Sequence, residues 1–275
     1  MTRASERPIL ACLRIEVPSM LFRRRDPLPS VAFATSCWER DWKPILLDAD
    51  YLGQKQIANQ CFTFAEKILV INNVKNRNEV LESAKKRVDE GILTRAVLAE
   101  EIAESVLSSF GLKREDFQPG SDADQYEGVN ADWIYYNALG PLSAIYAAKS
   151  DYLLYLTGDV RLDQPLDWIE RAIRLMEKEP RYKVANPVWN GKVDEAKRES
   201  MCRKKGFFVS DKGFSDQLLL VRRSDFAAPI YGEVREDAAH FPRGDVFEKR
   251  VFSAMRNRGW LRLTYGRGSY THENF

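Results

Sequence analysis

Three continuous apolar runs stand out along the chain. They are VAFAT at 31–35, KILVINN at 67–73 and DYLLYL at 151–156, and each gives way to polar residues. Runs of this length and composition predict buried strands. The third run lies between helical stretches and is almost wholly apolar, which is typical of a central strand in a sheet covered by helices on both faces.

Amphipathic stretches lie between the apolar runs. NEVLESAKKRVDEG at 78–91 has helical spacing and ends in a glycine, and TRAVLAEEIAESVLSSFG at 94–111 repeats the pattern. DQYEGVNADWIYY at 124–136 predicts a loop, after which Gly140 and Pro141 predict the start of a helix. We therefore expect an α/β fold, with a mixed and mostly parallel central sheet flanked by helices.

Polar side chains follow the predicted strands at their carboxyl ends. Thr35 closes the first run, Asn72 closes the second, and Asp159 follows the third within TGD. In open α/β sheets, ligands bind in the crevice outside the carboxyl ends of the strands. The pattern predicts that these three side chains converge on a binding site.

Length and charge limit the class of protein. The chain has 275 residues, 44% of them hydrophobic, which is enough for a sizeable core. No fixed-period repeat or low-complexity linker divides it, so we expect one domain over 30–275 after an Arg-rich lead-in segment at 1–29. The 42 basic and 40 acidic residues give a net charge of +2, and this balance gives no electrostatic reason to expect a nucleic-acid partner.

Cysteine spacing and hydropathy indicate the cell compartment. The four cysteines form no C-x-x-C pair, which argues against a zinc ribbon or a disulfide framework and fits a reducing cytosol. No apolar run reaches the roughly 18 residues that span a bilayer, and the N-terminus lacks a signal-peptide pattern. We expect a cytoplasmic protein, in which SMLFRRRD at 19–26 could contact acidic lipids weakly at the inner membrane face or could be loosely packed.

The order of motifs resembles a known superfamily. VAFATSCWERD, KILVINNV and GPLSAIYAAKSDYLLYLTGDVRL resemble the nucleotide-binding half of GT-A glycosyltransferases, especially family 2-like enzymes that use nucleotide-diphosphate sugars. GFSDQLLLVRRSDF, GDVFEKRVFSAMRNRGW and RGSYTHENF resemble the acceptor half. The resemblance implies a single-domain GT-A-like fold and an enzyme that transfers a sugar from a nucleotide-diphosphate donor to a glycan or lipid-linked acceptor.

The resemblance also implies a divalent cation, Mn²⁺ or Mg²⁺. In the superfamily an Asp-x-Asp motif holds the ion against the donor pyrophosphate, and here it reads Thr157-Gly158-Asp159, with threonine in place of the first acid. Asp159 would be one ligand, and His272, after the last predicted strand WLRLTY, would be a second ligand that suits Mn²⁺. Alternatively, Asp159 caps the following turn and His272 is an ordinary tail histidine.

Further polar residues near strand ends are candidates for binding the donor. They are Thr35, Ser36 and Glu39 after the first strand, Asn73 after the second, Gly158 beside Asp159, and Asp216 with Gln217 before LLLV. Short polar side chains after the early strands could hold a base and a ribose, and Asp216 lies in a region that faces the transferred sugar in the family. Turn chemistry and a hydrogen-bonded strand start would explain the same residue types without a ligand.

An inverting transfer needs a carboxylate that takes the proton of the acceptor hydroxyl. GDVFEKRVFSAMRNRGW predicts an amphipathic helix from about Asp245 to Arg258, with Glu248 three residues after Asp245. Family 2-like enzymes often carry their base at the start of a helix in this part of the chain, so the resemblance implies Asp245 as the base and Glu248 as its support or as an acceptor ligand. The same spacing is a capping-box pattern, in which neither acid is catalytic.

Two other functions stay open at this point. A nucleotidyltransferase-like enzyme would share the early strands, although the sequence contains neither G-x-G-x-x-G nor G-x-x-x-x-G-K-[ST]. A protein that binds a nucleotide sugar or another partner without catalysis would explain why Thr157 replaces an acid. We expect an inverting glycosyltransferase of bacterial surface polysaccharide or lipopolysaccharide assembly, a setting that rests on association with the family alone.

Overall fold

The computed structural model describes residues 27–48, 50–118, 130–235, 237 and 245–273, and for 245 and 246 it describes the backbone alone. The segment SMLFRRRD at 19–26, which we expected to be loosely packed or to contact acidic lipids weakly, therefore lies outside the described residues. The domain boundary at 29/30 stays a prediction. Within the described ranges no helix is long and apolar enough to cross a membrane.

The strands of the described chain form one mixed sheet. They are β1 (Val31–Cys37), β2 (Glu66–Ile71), β3 (Arg95–Leu98), β4 (Tyr152–Leu156), β5 (Val160–Arg161), β6 (Tyr182–Trp189), β7 (Cys202–Lys204), β8 (Phe207–Ser210), β9 (Leu218–Arg222) and β10 (Leu261–His272). Their order is β3-β2-β1-β4-β9-β6-β10-β8-β7, and β5 pairs with the end of β10. Along this order only β9 and β8 run against the other strands, which confirms the mixed, mostly parallel sheet.

Helices cover both faces of this sheet. They are α1 (Trp42–Leu47), α2 (Arg77–Asp89), α3 (Ala99–Ser109), α4 (Ala131–Ala147), α5 (Ile169–Met176), α6 (Val193–Arg198), α7 (Arg223–Phe226) and α8 (Arg250–Arg258). π-Helical turns occupy Tyr51–Ile57 and Asp245–Lys249, and 3₁₀ turns occupy Ala58–Gln60 and Arg114–Asp116.

Alternation along the strands produces two hydrophobic clusters. Val31 and Phe33 of β1 pack into one cluster with α1, α2 and α5, while Ala32 and Ala34 pack into the other with α3, α4 and α8. Successive side chains of a strand point to opposite faces, so a strand that is buried on both faces must be apolar throughout. This explains the continuous runs in the sequence, and the single sheet between the two clusters makes one domain.

Two helix predictions are wrong at their starts. Residues 95–98 of the stretch at 94–111 form β3, and only the remainder forms α3. Helix α4 begins at Ala131, within the predicted loop, because the side chain of Asn130 accepts a hydrogen bond from the Trp133 N–H and caps it. Pro141 therefore lies inside α4 rather than at its start.

The end of the chain also differs from the prediction. β10 continues past WLRLTY to His272, with irregular pairing to β6 between Tyr265 and Ser269. His272 pairs with Val160 of β5, so it lies within the last strand rather than after it. The predicted helix at 245–258 begins as a π-helical turn and becomes α8 only at Arg250.

Candidate active site

A cavity of about 720 Å³ opens at the carboxyl end of β4, and we call it the first cavity. It is lined by Trp38, Glu39, Arg40, Asp41, Asn73, Trp133, Asn137, Thr157, Asp159, Asp216, Gln217, Glu248 and His272. Its position agrees with the predicted crevice at the strand ends.

Asp159 and His272 are in contact in the first cavity. The Nε2 atom of His272 lies 3.0 Å from Oδ2 of Asp159, and the Thr157 hydroxyl donates to Oδ1 of the same carboxylate over 2.7 Å. The pairing of β5 with β10 brings the two residues together, because it aligns His272 with Val160. Burial lowers the pKa of His272, but the hydrogen bond to Asp159 and the charges of Asp159 and Asp216 outweigh it and leave the pKa raised.

Hydrogen bonds from Gln56 and close packing around Gly158 hold the turn that carries Asp159. The buried side-chain amide of Gln56 donates to the carbonyl oxygens of Gly158 (3.0 Å) and Val160 (2.8 Å). A Cβ atom added at Gly158 would lie 2.4 Å from Cδ1 of Ile45 and 2.5 Å from the Ser36 carbonyl oxygen. Gly158 is thus required for close packing, and it does not line the first cavity as a donor-binding residue would.

Asp216 reaches the first cavity because β9 runs antiparallel to β4. The start of β9 therefore lies beside the end of β4, where the Thr157 N–H donates to the Gln217 carbonyl oxygen over 2.9 Å. Asp216 is both a strand-start residue and a cavity residue. Burial and the negative charge of Asp159 raise its pKa, against the lowering effects of the charge of His272 and a hydrogen bond from Asn137.

Glu248 lies on the π-helical turn before α8, and its carboxyl group interacts electrostatically with that of Asp216. Burial is the main reason that its pKa stands well above the ordinary value; the charge of Asp216 adds to the rise and that of Arg262 opposes it. Two neighbouring half-buried carboxyl groups resist ionising together. Asp245 begins the same turn, but its side chain lies outside the described residues, so its catalytic role stays a prediction.

Asp41 is a cavity residue that the sequence reasoning missed. Burial raises its pKa to about 7; the hydrogen bond from the Trp38 N–H at 2.5 Å opposes the rise, and the charge of Asp159 adds to it. It follows the first strand within WERD, and this position at a strand's carboxyl end was the available signal. Its burial could not be inferred from the sequence.

Thr35 and Ser36 do not line the first cavity, and we correct their predicted role. β1 continues to Cys37, so both are interior strand residues that are almost completely buried. The Ser36 hydroxyl lies 2.8 Å from the hydroxyl of Tyr155. The amide of buried Asn72 donates to the Tyr136 carbonyl oxygen, so of the three strand-end residues only Asp159 reaches the first cavity.

Glu39 and Asn73 do line the first cavity, but both also have structural partners. A carboxylate oxygen of Glu39 accepts from the Lys75 N–H over 2.7 Å. Asn73 has a left-handed backbone, with φ of 52°, and its N–H donates to Glu100 over 2.7 Å. The structure is thus compatible with turn chemistry and with ligand contact for both residues.

The first cavity is strongly acidic. Its lining includes five carboxyl groups, from Glu39, Asp41, Asp159, Asp216 and Glu248, against the basic side chains of Arg40 and His272. No cluster of three or more His, Cys, Asp or Glu side chains within the described part of the chain is arranged to hold a metal ion. Asp159 and His272 are two side chains that could contact an ion together, and their carboxylate and imidazole chemistry fits Mn²⁺.

A second cavity of about 650 Å³ adjoins the first. Gln217 and Glu248 line both of them, so the two spaces meet at these side chains. The second cavity extends over β6 and β10 towards α6 and α8.

Solved structures share this fold over most of the chain. GalNAc-T7 with UDP, GalNAc and Mn²⁺ matches at 10% identity and a TM-score of 0.52, covering 90% of this chain and 44% of that one. The mannosyltransferase PcManGT from Pyrobaculum calidifontis, in complex with GDP-Man and Mn²⁺, matches at 12% identity and a TM-score of 0.51, covering 90% of this chain and 57% of that one.

The chain thus spans about half the length of these two proteins. No protein-family model and no curated protein matches the sequence. The structural likeness establishes the fold: the chain has the GT-A fold that its motifs resemble.

Proposed function

We propose that this protein transfers a sugar from a nucleotide-diphosphate donor to a glycan or lipid-linked acceptor, with a divalent cation in the first cavity. The observation that carries the proposal is the contact of Asp159 with His272 where β4 and β10 end. Two solved structures with the same fold contain Mn²⁺ together with UDP and GalNAc or with GDP-Man. The same proposal includes an inverting outcome and a setting in bacterial surface polysaccharide or lipopolysaccharide assembly. It also includes a cytoplasmic location with weak membrane contact.

The acidity of the first cavity supports the proposal that a divalent cation binds there. A diphosphate would be repelled by the carboxylates around it, since like charges in a partly buried site interact strongly. Oδ2 of Asp159 and Nε2 of His272 lie 3.0 Å apart and can turn towards a common ion. When bound, Mn²⁺ or Mg²⁺ would neutralise the charge that develops on the leaving diphosphate.

The proton of the acceptor hydroxyl needs a carboxylate near both substrates. Glu248 has the stronger positional support, because it lines the first and the second cavity. Asp245 stays the candidate that the sequence favours. A raised pKa makes a carboxylate a stronger base once it is ionised, and a cation bound nearby favours ionisation. We propose that one of these two acids takes the proton.

Ligand-dependent melting tests the donor site. UDP or GDP with Mn²⁺ should raise the Tm of the wild-type protein, because a ligand that binds only the native state stabilises it. Asp159→Ala should abolish the rise. Asp167→Ala is the matched control, since Asp167 forms a surface ion pair with Arg171 and does not line the first cavity.

Two results would contradict the proposal: no nucleoside diphosphate raises the Tm with Mn²⁺, or Asp159→Ala responds as the wild type does. Release of nucleoside diphosphate from a nucleotide sugar then distinguishes an enzyme from a protein that only binds the donor. Stabilisation by nucleoside triphosphates alone would favour a nucleotidyltransferase instead.

A further inference from the structure

An exposed basic segment lies at the edge of the sheet where the strand order ends in β7. The segment is KRESMCRKK at 197–205, and we call it the basic edge. It has five basic side chains and one acidic one, a net charge of +4 in nine residues, whereas the whole chain has a net charge of +2. The five basic side chains are all exposed: Lys197, Arg198, Arg203, Lys204 and Lys205. Positive charge is therefore concentrated at one edge of the protein.

The acidic side chains near the basic edge pair with other cations. These ion pairs are Glu199 with Arg262 at 3.3 Å, Glu195 with Lys192 at 3.8 Å, and Glu179 with Arg181 at 3.0 Å. Within the described part of the chain, none of the five cations of the basic edge forms a salt bridge. Their charge is therefore available to an anionic partner.

An apolar side chain lies among these cations. Met201, in the middle of the basic edge, is 64% exposed. Proteins that bind the surface of a membrane combine cations, which attract anionic head groups, with apolar side chains that enter the boundary of the acyl chains. Lysine and arginine suit the same boundary, because their apolar stems can lie along lipid while the charge stays at the head groups. A soluble polyanion would leave Met201 in water, so the combination favours a bilayer.

A third cavity, of about 610 Å³, lies between α5 and the hairpin of β7 and β8. Four basic and two acidic side chains line it. Two of the four cations form ion pairs, Arg171 with Asp167 and Arg174 with Glu170. The other two, Lys178 and Lys205, form no salt bridge with any residue that the structure describes. A head-group phosphate that enters this cavity can interact with both ammonium groups.

Part of the basic edge has a purely structural explanation. Charged residues on an edge strand, such as Arg203 and Lys204 of β7, prevent pairing with another chain. Lys197 and Arg198 lie in the last turn of α6, where the helix dipole favours cations. Lys205 is not explained in this way: its φ of 49° lies in a hairpin turn that favours Asn, Asp or Gly. The exposure of the neighbouring methionine also has no structural explanation.

We propose that the basic edge binds the surface of a bilayer that contains anionic lipids, with phosphate groups at its cations and in the third cavity and with Met201 among the head groups. This assigns a surface to the weak membrane contact of the proposed function and rests on that function for its biological meaning. Glu199 belongs to the basic edge and lines the second cavity, so the bilayer would lie beside that cavity. Bilayer binding needs no sugar transfer, so the two proposals can be tested separately.

Co-sedimentation of the full chain with vesicles tests the proposal. Vesicles of phosphatidylcholine and phosphatidylglycerol should bind the protein at low salt, and vesicles of phosphatidylcholine alone should not. About 1 M NaCl should release the protein, because the Debye length then falls to about 3 Å. The double variant Lys204→Gln/Lys205→Gln should bind about tenfold more weakly or less, since each lysine near an anionic surface adds to the attraction.

Two further variants make the test specific. Lys85→Gln/Lys86→Gln is the matched control, because it removes two adjacent exposed lysines from α2, at the opposite end of the strand order. It should bind vesicles as the wild type does. Met201→Gln should weaken vesicle binding by about threefold or more and leave retention on heparin unchanged, because heparin offers no apolar layer. All three variants change exposed side chains and should keep the wild-type Tm.

The proposal is overturned if vesicles that contain phosphatidylglycerol do not bind the protein at low salt. It is also overturned if Lys204→Gln/Lys205→Gln binds them as the wild type does, which would place the contact elsewhere in the chain. Wild-type vesicle binding by Met201→Gln would overturn it in favour of a soluble polyanion such as nucleic acid. The Tm response to UDP or GDP with Mn²⁺ should not change in these variants. Absence of that response in the wild type would refute the proposed function and leave the vesicle-binding surface in place.

Discussion

Asp41 makes the stability of the protein depend on pH. Its pKa is raised from the ordinary 3.8 to about 7, mainly because the side chain is buried. Well below pH 3.8 the carboxyl is protonated in both the folded and the unfolded state. As the pH rises towards 7, the unfolded chain loses this proton first, so the folded state loses stability over this window and the loss is complete above pH 7.

The substitution Asp41→Asn should remove this loss. A shift of about three pH units corresponds to about 4 kcal/mol of unfolding free energy, at 1.36 kcal/mol per unit, and this is an upper limit. The asparagine oxygen can still accept the Trp38 N–H, so the local hydrogen bond is kept. We expect Asp41→Asn to lie within about 1 kcal/mol of the wild type near pH 4 and to exceed it by about 1–4 kcal/mol at pH 8.

Denaturant unfolding at pH 4.5, 6 and 8 with a chelator measures this difference. The chelator is needed because a cation near Asp159 would favour the ionised form of Asp41. Asp167→Asn, at an exposed surface ion pair, should leave the pH profile of the wild type unchanged. If Asp41→Asn shows the wild-type pH dependence, the carboxyl is not held protonated by burial and our reasoning about the acidity of the first cavity is wrong.

Three further predictions concern the same cavity. Gly158→Ala should lower the unfolding free energy by about 1–3 kcal/mol and weaken nucleotide binding, because the added Cβ would lie 2.5 Å from the Ser36 carbonyl oxygen. A variant with the wild-type Tm and the wild-type Tm response to nucleotide would contradict this. Gln56→Leu should cost about 1–3 kcal/mol in thermal unfolding, because the carbonyl oxygens of the Asp159 turn lose a donor. Glu248→Gln and Asp245→Asn should show which of the two acids is the base. The variant that lacks the base should lose turnover by about 100-fold or more and retain donor binding, and near-normal turnover in both variants excludes both acids.

The sequence predicted the position of Asp159 at the carboxyl end of β4 because the evidence for this position is local. A buried strand that ends in a polar turn places its next acid at the carboxyl edge of the sheet, whatever the remaining strands do. The prediction that Thr35 and Ser36 line the binding site was wrong for a related reason. β1 extends to Cys37, two residues beyond the predicted end, and this places both side chains within the buried part of the strand.

The convergence of Asp216 and His272 on Asp159 depends on strand pairing that the sequence does not encode locally. Asp216 lies near Asp159 because β9 is antiparallel to β4, and His272 contacts Asp159 because the end of β10 pairs with β5. The sequence prediction ended the last strand at WLRLTY, before the glycines. Gly266 is nevertheless where β10 passes the Phe208 ring, which a Cβ atom would approach to 2.5 Å. The glycine is explained by close packing rather than by chain flexibility.

Thr157 in place of the first acid of Asp-x-Asp is consistent with the charge of the first cavity. Its hydroxyl donates to Asp159 over 2.7 Å and so orients that carboxylate towards His272 without adding charge. An aspartate at 157 would put a sixth carboxyl group into a cavity where Asp41 already has a pKa of about 7. Each further carboxylate makes the ionisation of its neighbours less favourable. In the site that we propose, where His272 is the second ligand, threonine at 157 removes one candidate ligand and avoids further repulsion around Asp159.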